Sequence, residues 1–169
     1  RRRRQVRALL EAERLCGRRH RPSHPLRPLR RRCGEAAGGL TIGGGVEVLQ
    51  SVAFQRCEAL PSIDLPQSLR EIKSSAFMYC GSLESVVSPY GVTSIGDGAF
   101  GDCGALSYVE IPGTVTSIGS TAFALCRELT LSVPDSVTEI GGLAFNQVPQ
   151  VYYSDPLGTG YDWGAYQVN

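Results

Sequence analysis

Four of the six cysteines stand at a constant interval: Cys57, Cys80, Cys103 and Cys126 are each 23 residues apart. Thiols in register raise the question of a metal or redox site. Zinc sites pair ligands at C-x2–4-C spacing so that two thiolates reach one ion, and no such pair occurs in this chain. If the interval is one turn of a coil, consecutive cysteines come within about 5 Å, a distance open to a disulfide. Yet the same column ends in Val148, and an aliphatic side chain replaces a thiol only where the thiol is acting as a small buried hydrophobe. Free, packed thiols are therefore expected, with no metal. Cys16 and Cys33 lie outside the column and have no visible activating neighbour.

Two other patterns carry possible chemistry. "GDGAFG" (Gly96–Gly101) satisfies G-x-G-x-x-G, but the same place 23 residues away reads "KSSAFM" (Lys73–Met78) and "GSTAFA" (Gly119–Ala124). It also lacks the acidic residue about twenty positions on that a dinucleotide site needs, so it is one slot of a repeat. The only histidines are His20 and His24, and no P-loop, zincin motif or nucleophile elbow occurs. Neither an enzyme nor a cofactor is expected.

What positions these residues is a repeat. Phe54, Phe77, Phe100 and Phe123 are 23 apart, Phe145 follows after 22, and each is preceded by Ala. Five positions earlier stand Leu49, Ile72, Ile95, Ile118 and Ile140; eight earlier, Val46, Leu69, Val92, Val115 and Val137. The cysteine column follows at three, and Leu60, Leu83, Leu106, Leu129 and Val151 at six. About six apolar side chains cannot form a core alone, but stacked copies bury a continuous one.

Beyond the leucine column lie alternating segments closed by proline: "SIDLP" from Ser62, "SVVSP" from Ser85, "YVEIP" from Tyr108 and "TLSVP" from Thr130. Alternation with β-branched residues predicts short strands, and Pro ends each because it has no N–H to donate. The "VTSI" phrase predicts a second extended segment across the coil. The "AF" pair predicts one short turn of helix, with Ser51, Ser74, Asp97 and Ser120 as N-caps. Gly96, Gly119 and Gly141 suit a left-handed or tightly bent backbone there.

"IPGTVTSIGSTAFALCREL" (Ile111–Leu129) resembles the BspA-type, or Treponema-type, leucine-rich repeat in its period, its phrase and its Cys column. The resemblance covers roughly residues 40–153. It implies an α/β leucine-rich-repeat solenoid of about five 23-residue repeats, with short parallel strands and short helical turns. It implies surface or secreted, adhesin-like proteins, and it transfers no catalytic residue.

The flanks differ from the repeat. Residues 1–39 form an Arg-rich arm, expected to be disordered apart from a short amphipathic helix over Gln5–Cys16. Residues 1–33 carry thirteen Arg against two Glu, whereas residues 34–169 carry four Lys or Arg against fourteen acids. Residues 154–169, with Tyr161, Trp163 and Tyr166, are expected to cap the end of the core. No apolar run is long enough to span a membrane. The only Met is Met78, so the chain is expected to begin partway through a longer or processed product.

The functional expectation is a noncatalytic module, a monomer, holding a protein or glycan on the strand face. Alternation turns Ile63, Leu65, Val86, Ser88, Val109, Ile111, Leu131 and Val133 inward. It leaves Ser62, Asp64, Ser85, Val87, Tyr108, Glu110, Thr130 and Ser132 outward as candidate binding residues, centred on Tyr108 and Glu110. Two alternatives stay open: binding of nucleic acid or an anionic surface through the Arg arm, and service as the recognition part of a larger receptor or enzyme.

Overall fold

The computed structural model of the chain describes residues 39–153 and Gly164. The expectations for the basic arm, including Cys16, Cys33 and both histidines, lie outside these residues, as does nearly all of the C-terminal segment.

Each repeat contributes one strand to each of two parallel sheets. Strands β1 (Leu40–Thr41), β3 (Ser62–Asp64), β5 (Ser85–Val87), β7 (Tyr108–Glu110), β9 (Thr130–Ser132) and β11 (Gln150–Tyr152) form a six-stranded sheet in that order. Strands β2 (Val48–Leu49), β4 (Glu71–Ile72), β6 (Ser94–Ile95), β8 (Ser117–Ile118) and β10 (Glu139–Ile140) form a five-stranded one, the second extended segment expected from "VTSI". Proline carbonyls open the link between the sheets: the Leu69, Val92, Val115 and Val137 N–H groups donate to Pro66, Pro89, Pro112 and Pro134.

The register follows the sequence period until the last coil. Ser62 pairs with Ser85 and Ser85 with Tyr108, while Tyr108 pairs with Thr130, which places the one-residue deletion just after Leu129. The next step corrects the column alignment. Val151 pairs with Leu131 rather than succeeding Leu129, so it is an inward strand residue and the leucine column ends one coil early. The short Val148-Pro149-Gln150 link leaves no room for a leucine slot before the strand begins.

The apolar columns meet between the sheets. Phe54, Phe77, Phe100, Phe123 and Phe145 are buried and stack along the axis, with successive ring centroids 5.2, 5.1, 5.3 and 5.8 Å apart and planes within 10°. The spacing follows the strand separation of about 4.8 Å, so the rings stack nearly parallel from coil to coil.

The expected helical turn does not form; among the described residues there is no helix. The N–H groups of Val52, Phe54 and Arg56 leave their own segment for the carbonyls of Ser74, Ala76 and Met78 in the next coil. Those of Ala53, Gln55 and Cys57 turn back to Gln50, Val52 and Phe54. Alternate donors thus build a ladder between coils, which an α-helix, satisfying every N–H within itself, cannot do. The geometry requires left-handed residues on both sides of the Phe: Ser75 (φ 56°) and Tyr79 (φ 65°), Gly98 (φ 58°) and Asp102 (φ 57°), Thr121 (φ 53°) and Leu125 (φ 66°).

Two expectations attached to that helix change with it. The residues expected as N-caps bridge coils instead: Asp97 Oδ1 accepts the Ser120 N–H at 2.8 Å, and the Ser74 and Ser120 carbonyls accept N–H groups from Val52 and Gly98. Gly96, Gly119 and Gly141 have no left-handed φ. They are required by close approach, since a Cβ at Gly119 would fall 2.5 Å from Asp97 N, and one at Gly141 would meet Ser120 N.

Cysteine packing is as expected for Cys80, Cys103 and Cys126, which are free and buried, but Cys57 is disulfide-bonded. Each free thiol also donates a hydrogen bond across coils: Cys80 to the Phe54 carbonyl at 3.1 Å, Cys103 to Phe77 at 3.1 Å and Cys126 to Phe100 at 3.0 Å. Burial pushes the Cys126 thiol up to about 12. Contact with the Cys80 thiol, and then burial, raises Cys103. Cys103 and Cys126 stay neutral, and a buried neutral thiol is a poor nucleophile, whereas the hydrogen bond with Cys103 lowers the Cys80 thiol.

Candidate ligand-binding face

Strand alternation decides which side chains leave the core. At the strand centres Ile63, Val86, Val109 and Leu131 are buried, as are Ser88, Ile111 and Val133, with Leu65 half-buried. Of the eight outward candidates, Asp64, Ser85, Val87, Tyr108, Glu110, Thr130 and Ser132 are exposed and Ser62 is half-buried.

Register stacks them in two rows. Ser62, Ser85, Tyr108 and Thr130 form one, continued by Gln150; Asp64, Val87 and Glu110 form the other, preceded by Thr41. Ser132 and its partner Tyr152 carry that second row onward. Thr41, Gln150 and Tyr152 are the outward residues that the sequence reading passed over. Counting 23 back from Asp64 reaches Thr41, so the period itself carried that signal. The last strand, displaced by the shortened link, showed only in the alternation of Gln150, Val151 and Tyr152.

The rows are polar at their ends and partly apolar in the middle. Tyr108 keeps 50% of its surface exposed, Val87 56%, and Tyr90, just beyond β5, 75%. Beside them lie the carboxylates of Asp64 and Glu110, about two rung spacings, or roughly 10 Å, apart. The Thr41 hydroxyl donates to Asp64 Oδ2 at 3.0 Å; among the described residues no Lys or Arg pairs with Asp64 or Glu110. A concavity of about 250 Å³ opens between β3 and β5, walled by Asp64, Gln67, Ser85, Val87 and Pro89.

A larger, shallow groove of about 730 Å³ runs along the second sheet past Ser94, Asp97, Ser117, Ser120 and Glu139. Serines, glycine backbone and the isoleucines Ile95, Ile118 and Ile140 wall it with Glu139, and the Asp97 carboxylate is already engaged by the Ser120 N–H. Nearby, Glu71 is neutralised by Lys73 at 2.8 Å. Binding centres are enriched in aromatic anchors, which this groove lacks and the strand face has. Among the described residues no group of three or more His, Cys, Asp or Glu is arranged to hold a metal.

Two parallel sheets, one strand of each per 23-residue coil, joined by short turns, define a leucine-rich-repeat solenoid. The chain belongs to the BspA type leucine rich repeat family, whose pattern matches residues 37–151 as six copies. The sixth copy beyond the five Phe residues accords with the six strands of the first sheet.

Similar solved structures are bacterial. A leucine-rich repeat protein from Bacteroides ovatus is 34% identical with a TM-score of 0.61, over 66% of this chain and 30% of that one. The T. pallidum leucine rich repeat protein is 30% identical with a TM-score of 0.62, over 67% of this chain and 58% of that one. A leucine rich cell surface protein from Faecalibacterium prausnitzii is 27% identical with a TM-score of 0.53, over 64% and 36%. The chain therefore spans between about a third and three-fifths of the length of these structures. No curated protein matches it.

Proposed function

We propose that this chain is a noncatalytic recognition module that holds a protein or glycan on the outward face of its six-stranded sheet, with Tyr108 and Glu110 at the centre. One observation carries the reading: Tyr108 and Val87 stay half open on a sheet hydrogen-bonded on both sides, next to carboxylates with no cationic partner among the described residues. A rigid aromatic beside an acid gives contact area and direction at small entropic cost. The cell-surface description of the Faecalibacterium prausnitzii neighbour supports an adhesin-like role, and the neighbours' greater length supports service as the recognition part of a larger receptor or enzyme. The module acts as a single chain.

A second reading rests on the thirteen Arg of residues 1–33, which suit nucleic acid or an anionic surface. Its mark is affinity that collapses with salt and depends on that segment.

The test is to screen the full chain on an array of glycans and purified extracellular proteins, then to repeat it with Tyr108→Ala plus Glu110→Lys. The strand-face reading expects at least a roughly tenfold loss of affinity with an unchanged melting temperature, as truncation of a central anchor gives. Undiminished affinity moves the site elsewhere.

A further inference from the structure

We propose that the Arg-rich segment of this same chain, residues 1–33, docks along the outward face of the six-stranded sheet and masks it. The inference holds whether or not an external ligand uses that face, and three observations carry it.

The first is where the cations of the described fold lie. Arg56, Arg70, Lys73 and Arg127 are its only Lys and Arg, and none projects from a strand of the six-stranded sheet. Arg56 lies over the Tyr79 ring at 4.7 Å, Arg70 donates to the Gln67 and Leu69 carbonyls, and Lys73 pairs with Glu71. The strand face is left with Asp64 and Glu110, with Glu84 directly before β5, and with the open rings of Tyr90 and Tyr108. Carboxylates and phenol faces without a cation match guanidinium on both counts, by charge-assisted hydrogen bonds and by cation–π contact.

The second is charge. Residues 1–33 carry thirteen Arg against two Glu, in a chain whose remainder is strongly acidic.

The third is where the chain enters the fold. Gly39 directly precedes β1, the edge strand of this sheet, and a Cβ there would meet the Ser62 hydroxyl, so it stands at the head of the Ser62, Ser85, Tyr108 row. Glu110 lies three rungs from β1, or about 14 Å. The arm therefore joins the fold at the end of the sheet from which the Ser62, Ser85, Tyr108 row runs toward Glu110.

The experiment uses the full chain, uniformly labelled, and follows its backbone amide shifts by NMR. The parent is compared with a chain in which the thirteen Arg of residues 1–33 are Ser, and with the shape-conserving pair Asp64→Asn and Glu110→Gln. At about 0.01 M salt the parent should differ from the Arg-to-Ser chain at Asp64, Val87, Tyr108 and Glu110, and the difference should vanish at about 1 M, where screening acts within about 3 Å. The Asn/Gln pair should abolish the salt response at Val87 and Tyr108, which keeps the test alive if the heavily substituted chain does not fold. Differences absent, confined to Ser94, Ser117 and Glu139 of the second sheet, or growing with protein concentration would each overturn docking within the chain.

Discussion

The Cys103 thiol donates to the carbonyl of Phe77, one coil back, at 3.1 Å. The bond gives the cysteine column a polar function in addition to its packing, and it recurs from Cys80 to Phe54 and from Cys126 to Phe100. The Phe77 carbonyl also accepts the Cys80 N–H, so losing the thiol does not orphan it. Cys103→Val, the residue type that Val148 supplies in the last coil, should therefore cost no more than about 1 kcal/mol. Cys103→Ala leaves a void as well and should cost roughly 1–2 kcal/mol more. Urea melts of the three proteins check the order.

Buried thiols also set an alkaline limit. The folded Cys126 thiol is raised from its ordinary 9.0 to about 12, so the native state keeps a proton that the unfolded chain has lost. Its stabilising contribution is complete below pH 9.0 and is lost as the pH rises toward about 12. Stability should fall by about 1.4 kcal/mol per pH unit per such thiol in that window. A series of denaturant melts between pH 8 and pH 11, with Cys126→Val as the flatter comparison, reads this directly.

Glycines separate by their surroundings. At Gly119 an added Cβ would sit 2.5 Å from Asp97 N and 2.7 Å from Gly96 C, both backbone atoms that cannot swing aside. At Gly113 it would meet nothing within 4 Å. Gly119→Ala should cost at least about 1–3 kcal/mol by forcing coils apart. Gly113→Ala should stay within about 0.5 kcal/mol of the parent, as open surface sites do. Thermal melts of the two variants are sufficient.

The contrast also shows what the amino-acid sequence revealed. Columns of Phe, Ile and Leu disclosed the coil and its core, and proline-closed alternation disclosed the strand face, because burial acts on residue type at a fixed period. The turn around Phe77 was not legible. Ser75 and Tyr79 adopt left-handed φ without being glycine, and "S-S-A-F" reads locally as a capped helical turn. Only the demand that alternate N–H groups pair with the next coil selects the ladder, and that demand is a property of the stack. Val151 misled for the converse reason: its spacing fitted the leucine column, while its alternation belonged to a strand. The rows around Tyr108 and Glu110 were legible in direction, since pleating fixes direction, whereas residue type alone says nothing of a ligand.

Ser88 offers a stabilising change. Its hydroxyl is buried at 3% exposure without a hydrogen-bond partner, in the inward position that Leu65, Ile111 and Val133 fill with aliphatic side chains. Ser88→Val removes an unsatisfied donor and adds apolar burial, and should raise stability by roughly 1–2 kcal/mol. Its denaturation midpoint should move upward with an unchanged m-value.

The central claim is that recognition belongs to the strand face and not to the larger groove behind it. The direct measurement is affinity for the strongest partner from the glycan and protein screen, in parallel for Tyr108→Ala with Glu110→Lys and for Ser94→Lys with Ser117→Lys on the second sheet. The account predicts at least a roughly tenfold loss for the first pair and parental affinity for the second. Loss confined to the second-sheet pair would contradict it.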